Sequence, residues 1–283
     1  MAEEKNIEKF KPVSIQSLMA EKNPRLAKII PGLVYRFIHR VMYLDFFNGF
    51  MEKYQDLNGI EFTNAAVSDF EVTREIYGEE NIPKEGSYIF VCNHPLGGFD
   101  SLLLMETVER HLGKFKFLVN DVLMKIPSLR PSFVPINKHG GNSRDAALLL
   151  GKTYSSGEQI LIFPSGAASR RRRGIVADLP WSKHFITKSI QYKRDVVPVF
   201  ISGRNSNLFY NIANIRTFMH ISWNLEMFLL PSETFHHRKK TIRLYFGEPI
   251  PWTTFDNSKT KVDWAEYVRN IAYRLPEKFD KKE

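Results

Sequence analysis

Residues 87–93 read SYIFVCN, and residues 93–100 continue as NHPLGGFD. The first stretch is a short apolar run of the length and composition of one buried strand. Asp100 and Ser101 are good helix caps, and Ser101 to His111 reads as a helix. A strand, a glycine-containing loop and a helix therefore follow one another. The loop lies at the C-terminal end of its strand, where open α/β sheets bind ligands.

The same alternation continues outward. KFKFLVN (114–120), SFVPI (132–136), EQILIFP (158–164), DVVPVFI (195–201) and TIRLYFG (241–247) read as strands. Ser143 to Tyr154 reads as a helix. Strands alternating with helices imply an α/β fold, a central, largely parallel mixed sheet covered by helices. Pro198 in VVPV is expected at a sheet edge or a strand start. SWNLEMFLLP (222–231) fits either strand or helix.

N-terminal to the sheet, Leu26, Ile29, Ile30, Leu33, Val34, Phe37, Ile38, Val41 and Met42 form one continuous helical stripe. Phe46, Phe47, Phe50 and Met51 extend it, while Arg25, Lys28, Arg36, His39 and Arg40 fall mainly outside it. A basic side opposite a Phe-rich side suits a helix lying in a membrane interface. It equally suits a core helix with a solvated basic face. Pro31 is expected to start or kink a helix.

Composition bounds the function. The 283 residues carry 40 Lys and Arg against 31 Asp and Glu, a net charge of +9. That surplus points to an anionic partner, a lipid surface or a nucleic acid. A single cysteine, Cys92, excludes an internal disulfide framework and a four-cysteine zinc site. Met1 to Lys11 has no apolar core of a secretory signal, and no apolar run is long enough for a transmembrane helix. A nucleic-acid-binding or membrane-binding protein without activity stays open on charge alone, but no helix-turn-helix, zinc or RNA-binding signature accompanies it.

Two clusters carry chemistry. In NHPLGGFD, His94 is a candidate general base, and Asp100 can fix its tautomer and stabilise the imidazolium. Gly97 and Gly98 allow a tight turn that brings the carboxylate back to the imidazole. The plainer reading is a cap at Asp100 and a strand end at His94. In FPSGAASRRRRG (163–174), Ser165 and Gly166 make a turn whose N–H groups can face an anion, followed by Arg170 to Arg173. A charge run of this kind is otherwise a solvated face. PINK (135–138) places Lys138 just past a short strand. Cys92 is expected to be a small buried hydrophobe rather than a nucleophile. Adjacent His236 and His237 suit no common metal motif and read as surface, so no metal site is expected.

The ordered set NHPLGGFD, VPINK, FPSGAAS and VVPVF resembles the four sequence blocks of the glycerophospholipid acyltransferase family, of the 1-acylglycerol-3-phosphate acyltransferase type. Those blocks read N-H-x-x-x-x-D, an apolar run ending in I-x-R, F-P-E-G-T-R-S, and V-P-[VI]. RLYFGEPI resembles the family's late strand, and the resemblance spans roughly residues 60–255. Departures matter. Five residues separate His94 from Asp100 instead of the usual four. Lys138 stands for an arginine, and Ser165, Ala167 and Ala168 stand for the Glu, Thr and Arg of the third block. These departures look like the hemolysin-type branch, which includes O-acyltransferases completing ornithine and glycine lipids.

The resemblance implies a direct acyl transfer. His94 takes the proton of an acceptor hydroxyl, which attacks an acyl thioester on acyl carrier protein or coenzyme A, with backbone donors near the glycines facing the oxyanion. It implies His94 and Asp100 as catalytic, and Asn93, Gly97, Gly98, Lys138, Ser165, Gly166, Arg170 and Arg171 as substrate-binding. No resident cofactor is required. The expected acceptor is a lysolipid, an N-(3-hydroxyacyl) amino acid, with lysophosphatidate as the alternative. Arg170 and Arg171 are expected to hold its carboxylate. Residues 1–59 are expected to form an amphipathic membrane-surface segment and residues 60–283 the acyltransferase domain, on the cytoplasmic face of an anionic membrane. Nucleic acid is not an expected partner.

Overall fold

The computed structural model describes residues 10–22, 24–136, 143–221 and 224–280. Four short helices open the chain: α1 (Ile15–Lys22), α2 (Pro24–Ile29), α3 (Gly32–Val41) and α4 (Leu44–Lys53). Helix α5 (Ile60–Asp69) leads into β1 (Thr73–Tyr77) and β2 (Ile89–Cys92). Then come α6 (Phe99–Leu112), β3 (Phe115–Val119), β4 (Phe133–Pro135), α7 (Ser143–Ser155) and β5 (Gln159–Ile162). A hairpin of β6 (Arg170–Arg172) and β7 (Ile175–Ala177) precedes α8 (His184–Tyr192) and β8 (Val196–Ile201). The rest is α9 (Asn207–Phe218), α10 (Leu230–Phe235), β9 (Thr241–Phe246) and α11 (Lys261–Asp280).

Among the described residues the main sheet has seven strands in the order β1-β9-β8-β2-β5-β3-β4. All neighbours are parallel except β8 and β9. All six runs read as strands in the sequence are present. β1, whose TREIY holds two charged residues, carries no such apolar signal and sits at an edge beside β9.

Each central strand is buried on both faces, and its residues alternate between two cores. Phe90, Cys92, Leu161 and Val197 enter one cluster, with Phe62, Phe70 and Phe99 from the covering helices. Ile89, Val91, Ile160, Ile162 and Val196 enter the other, with Phe185, Trp264 and Val268. Pro198 lies in β8, a central strand, rather than at an edge. The missing N–H is tolerated because the antiparallel ladder with β9 is ending there. The Gly247 N–H still donates to the Pro198 carbonyl at 2.9 Å. An added Cβ on Gly247 would lie 2.8 Å from Pro198 Cγ, so glycine makes the room.

The N-terminal stripe is not continuous. Pro31 is the N-cap of α3, and Tyr43 with φ 54° breaks the chain between α3 and α4. The three helices α2, α3 and α4 therefore bury different residues. Tyr35, Met42 and Leu44 form a small core with Ile15, against which Phe228 packs. Phe47 and Phe50 pack against the main core, Phe50 meeting Phe62, Phe70 and Phe235. Ile29, Leu33, Phe37 and Phe46 stay exposed, with Arg36 and Arg40 beside them. Among the described residues no helix is long and apolar enough to cross a membrane.

This division predicts opposite outcomes for a residue of α3 and for its C-cap, Met42. Phe37 is 68% exposed and Met42 is 3% exposed. In chemical denaturation, Phe37→Glu is expected to change stability by no more than about 0.5 kcal/mol. Met42→Ala is expected to cost roughly 2–5 kcal/mol through the cavity it leaves.

Candidate functional site

The site is built where β2 ends. There the Asn93 carboxamide replaces one more rung of the ladder to β8. Its Oδ1 accepts the Ile201 N–H at 2.7 Å, and its Nδ2 donates to the Ile201 carbonyl at 2.9 Å. The next residue is pinned on both sides of its backbone. The His94 N–H donates to Asp178 Oδ1 at 3.1 Å, and the His94 carbonyl accepts the Ser169 N–H at 2.8 Å. The imidazole stacks on Phe163 with ring centres 4.0 Å apart and planes 16° apart.

The ring's Nδ1 lies 2.9 Å from Asp100 Oδ2. Asp100 is the second residue of α6 and has no exposed surface. Its Oδ2 also accepts the Leu96 N–H, and its Oδ1 accepts the Ser101 N–H, each at 2.9 Å. A carboxylate taken out of water needs such donors, since burial penalises its charge. With the proton of the neutral ring on Nδ1, facing the carboxylate, the Nε2 lone pair is left to take a proton. Asp100 thus orients the histidine and takes one N–H of the first helical turn, but it is not the expected cap: the N-cap of α6 is Gly98, which makes no side-chain cap hydrogen bond.

The loop between them closes through its glycines. Gly97 has φ +74°, and a Cβ there would lie 2.3 Å from Leu230 Cδ2 and 3.5 Å from Asn205 Nδ2. Gly98 faces Thr234 Oγ1. The longer spacing is accommodated as the sequence suggested, but the glycines serve the packing of α10 onto the loop. Asn93 likewise has both side-chain atoms engaged by Ile201. These three residues shape the site and are not free to hold a ligand through side chains.

Asp178, which the sequence reading missed, ties the site together. It is buried and accepts from Ser169 Oγ at 2.6 Å and Trp181 Nε1 at 3.0 Å, besides the His94 N–H. Its own N–H donates to the Tyr273 hydroxyl on α11 at 2.8 Å. Burial pushes its carboxyl pKa above the usual value, against the opposing pull of Ser169, Trp181 and His94. One carboxylate therefore joins the β2 loop, the chain entering β6 and the chain entering α8. ADLPW carries no spacing that marks it.

The arginine tract needs correction. It forms a strand of a hairpin whose turn is Arg173–Gly174, both with positive φ, a turn that suits the twist of two-residue hairpins. Arg170 is not a carboxylate clamp for an acceptor. Its Nη2 donates to Glu226 Oε1 at 2.8 Å and its Nη1 to the Ala168 carbonyl at 2.6 Å. Glu226 is fully buried and also takes Arg216 Nε at 2.9 Å. Arg171 donates to the neutral side chains of Asn207 and Asn211. Arg172 and Arg173 are exposed. Ser165 Oγ donates to the Ala167 carbonyl at 2.8 Å, and the Gly166 N–H returns to the Phe163 carbonyl at 3.0 Å. That turn is closed on itself. Lys138 lies outside the described residues.

Two cysteine and histidine readings are also resolved. Cys92 is fully buried, and burial pushes its thiol pKa well up, so it is no nucleophile. His236 is exposed, as read, but His237 is buried, the chain turning inward just after α10. Among the described residues no group of three or more His, Cys, Asp or Glu could hold a metal ion.

A family model described as acyltransferase matches residues 17–282. A lyso-glycine lipid O-acyltransferase of Bacteroides thetaiotaomicron is 44% identical, over 93% of this chain and 97% of that protein. A second protein of the same description, from Phocaeicola vulgatus, is 39% identical over 93% and 95%. Among solved structures, the 1-acyl-sn-glycerophosphate acyltransferase PlsC of Thermotoga maritima aligns over 94% of this chain and 96% of its own. It does so at 18% identity, with a TM-score of 0.49.

Two stability predictions follow from these contacts. Arg170→Ala strips one of two arginine partners from buried Glu226, leaving Arg216, and is expected to cost about 1.5–3 kcal/mol in denaturant unfolding. Arg172→Ala and Arg173→Ala should each stay within about 0.5 kcal/mol. Burial, aided by Lys240 and His236, pushes the His237 pKa down to about 4. The unfolded chain, with an ordinary pKa of about 6.5, then binds the extra proton first. Stability is expected to be full above pH 6.5 or so and to fall by on the order of 3 kcal/mol towards pH 4. His237→Gln should flatten that slope in melts recorded across the window.

Proposed function

This chain belongs to the acyltransferase family, and on that premise we propose that it esterifies the free hydroxyl of a lyso-glycine lipid, an N-(3-hydroxyacyl)glycine, with a fatty acyl group from a thioester. The observation carrying the proposal is the His94–Asp100 pair at the sheet's C-terminal edge. It stands in a chain alignable almost end to end with O-acyltransferases of that acceptor.

In this mechanism His94 Nε2 takes the proton of the 3-hydroxyl as the oxygen attacks the thioester carbonyl. Asp100 stabilises the imidazolium so formed. The tetrahedral intermediate collapses with cleavage of the C–S bond, and the imidazolium returns its proton to the departing thiolate. An ester and a free thiol result. No side chain is acylated, which agrees with the buried state of Cys92. The donor is an acyl carrier protein or coenzyme A thioester. The lipid acceptor is met at an anionic membrane surface, on its cytoplasmic face, with Leu33, Phe37 and Phe46 towards the lipid and Arg36 and Arg40 at the headgroups.

His94→Ala is expected to lower kcat/KM by about 10²–10⁴-fold or more while keeping a cooperative thermal melt, at a Tm lowered by the donor lost to buried Asp100. A folded variant with near-normal turnover would contradict the mechanism. The acceptor is tested by offering purified protein lysophosphatidate and N-(3-hydroxyacyl)glycine together at equal concentration. The glycine compound is expected to be acylated first. Preference for lysophosphatidate would overturn the acceptor and leave the family standing.

A further inference from the structure

Two guanidinium groups converge on one neutral oxygen beside the catalytic loop. Arg171 on β6 donates Nη1 to Asn207 Oδ1 at 2.9 Å and Nη2 to Asn211 Oδ1 at 2.5 Å. Arg204, in the loop after β8, donates Nη2 to the same Asn207 Oδ1 at 2.5 Å. Both lie over the Tyr210 ring, 5.7 and 6.0 Å from its centre. Among the described residues neither is in an ion pair. Arg170, the preceding residue on β6, shows the contrast, since it is neutralised by Glu226.

Two like charges that close repel, and a shared amide oxygen offsets only part of the repulsion. An anion bridging them reverses its sign, because guanidinium forks match a carboxylate in two-point hydrogen bonds. The surroundings favour an anion as well. Asn207 is the first residue of α9, a 12-residue helix whose positive dipole end is therefore at this place. A second, independent sign lies next to Arg204. Asn205 is 2% exposed, yet neither atom of its carboxamide has a partner. Its Nδ2 is the group that approaches Gly97, and its backbone N–H donates to the hydroxyl of the same Tyr210 at 3.0 Å. Buried carboxamides take their partners from protein, ordered water or a bound ligand, and here the protein supplies none.

Both arginines adjoin, along the chain, residues that meet the loop carrying His94. Arg171 is two residues beyond Ser169, whose N–H holds the His94 carbonyl. Arg204 adjoins Asn205, which touches the Gly97 turn of the loop carrying His94.

We propose that Arg171 and Arg204 bind the headgroup carboxylate of the acceptor lipid and that Asn205 pairs with its amide. This rests on the acceptor reading given above. In an N-(3-hydroxyacyl)glycine the amide lies between carboxylate and hydroxyl, and these two are about 7 Å apart when extended. A donor and an acceptor atom on Asn205 match that amide. The arrangement selects acceptors by headgroup charge and replaces the third-block residues this chain lacks.

The test compares N-(3-hydroxyacyl)glycine with its uncharged glycinamide counterpart, using wild type, Arg204→Ala, Arg204→Lys and Arg171→Ala. Arg204 is exposed, so its variants are expected to melt like wild type. Wild type should prefer the acid, and Arg204→Ala should shrink that preference by roughly tenfold or more through a raised acceptor KM. The donor KM should not change, and Arg204→Lys should recover part of the preference. An unchanged preference in Arg204→Ala, or a raised donor KM in place of a raised acceptor KM, overturns the proposal. If wild type acylates acid and amide equally, the subsite falls and the acceptor reading stands. If wild type acylates neither, the acceptor reading itself falls.

Discussion

A single carboxylate, Asp100, sets the geometry on which the rest of the site depends. It is wholly buried and receives three donors, from Leu96, Ser101 and the His94 ring. An ionised carboxylate in that position is tolerable only because all three are present. Satisfying it engages the first turn of α6, closes the glycine loop and fixes the histidine tautomer in one arrangement. The longer interval between His94 and Asp100 is absorbed by a left-handed turn at Gly97, into which α10 then packs.

Asp178 extends the same logic from the side chain to the backbone of His94. It brings together three segments that are distant in sequence, so the histidine is held by the sheet, by α6 and by the hairpin at once. Such overdetermination holds the imidazole within the narrow range of positions that the proposed proton transfer demands. The arginine hairpin then divides its charges by depth. Arg170 neutralises Glu226 inside the molecule, Arg171 turns towards Arg204, and Arg172 and Arg173 face water.

Much of this was legible in the sequence, for physical reasons. Strands buried on both faces, such as IFVC and QILI, are continuous apolar runs, and their alternation with helices implies parallel pairing. The histidine loop could be placed at a strand's end from the same runs. The illegible parts depend on partners far away in the chain. Arg170 looked like a solvated or ligand-facing charge because Glu226 stands 56 residues later. Asp178, His237 and Asn205 are ordinary in sequence and become unusual only when buried. The stripe from Leu26 to Met51 was read as continuous because periodicity does not register one residue, Tyr43, with positive φ. Pro198 was expected at an edge or a strand start; it lies near the start of β8 but in a central strand, because the end of a ladder inside a sheet depends on β9, nearly fifty residues later.

The central claim is that Asp100 holds the His94 proton on Nδ1 and leaves Nε2 bare. Nitrogen NMR of protein with labelled histidine, at a pH where the ring is neutral, measures this directly, with His94→Gln used to assign the signal. A protonated Nδ1 and an unprotonated Nε2 are expected for His94 in the wild type, with loss of that fixed tautomer in Asp100→Ala. A wild-type His94 with its proton on Nε2, or a tautomer indifferent to Asp100, would contradict it.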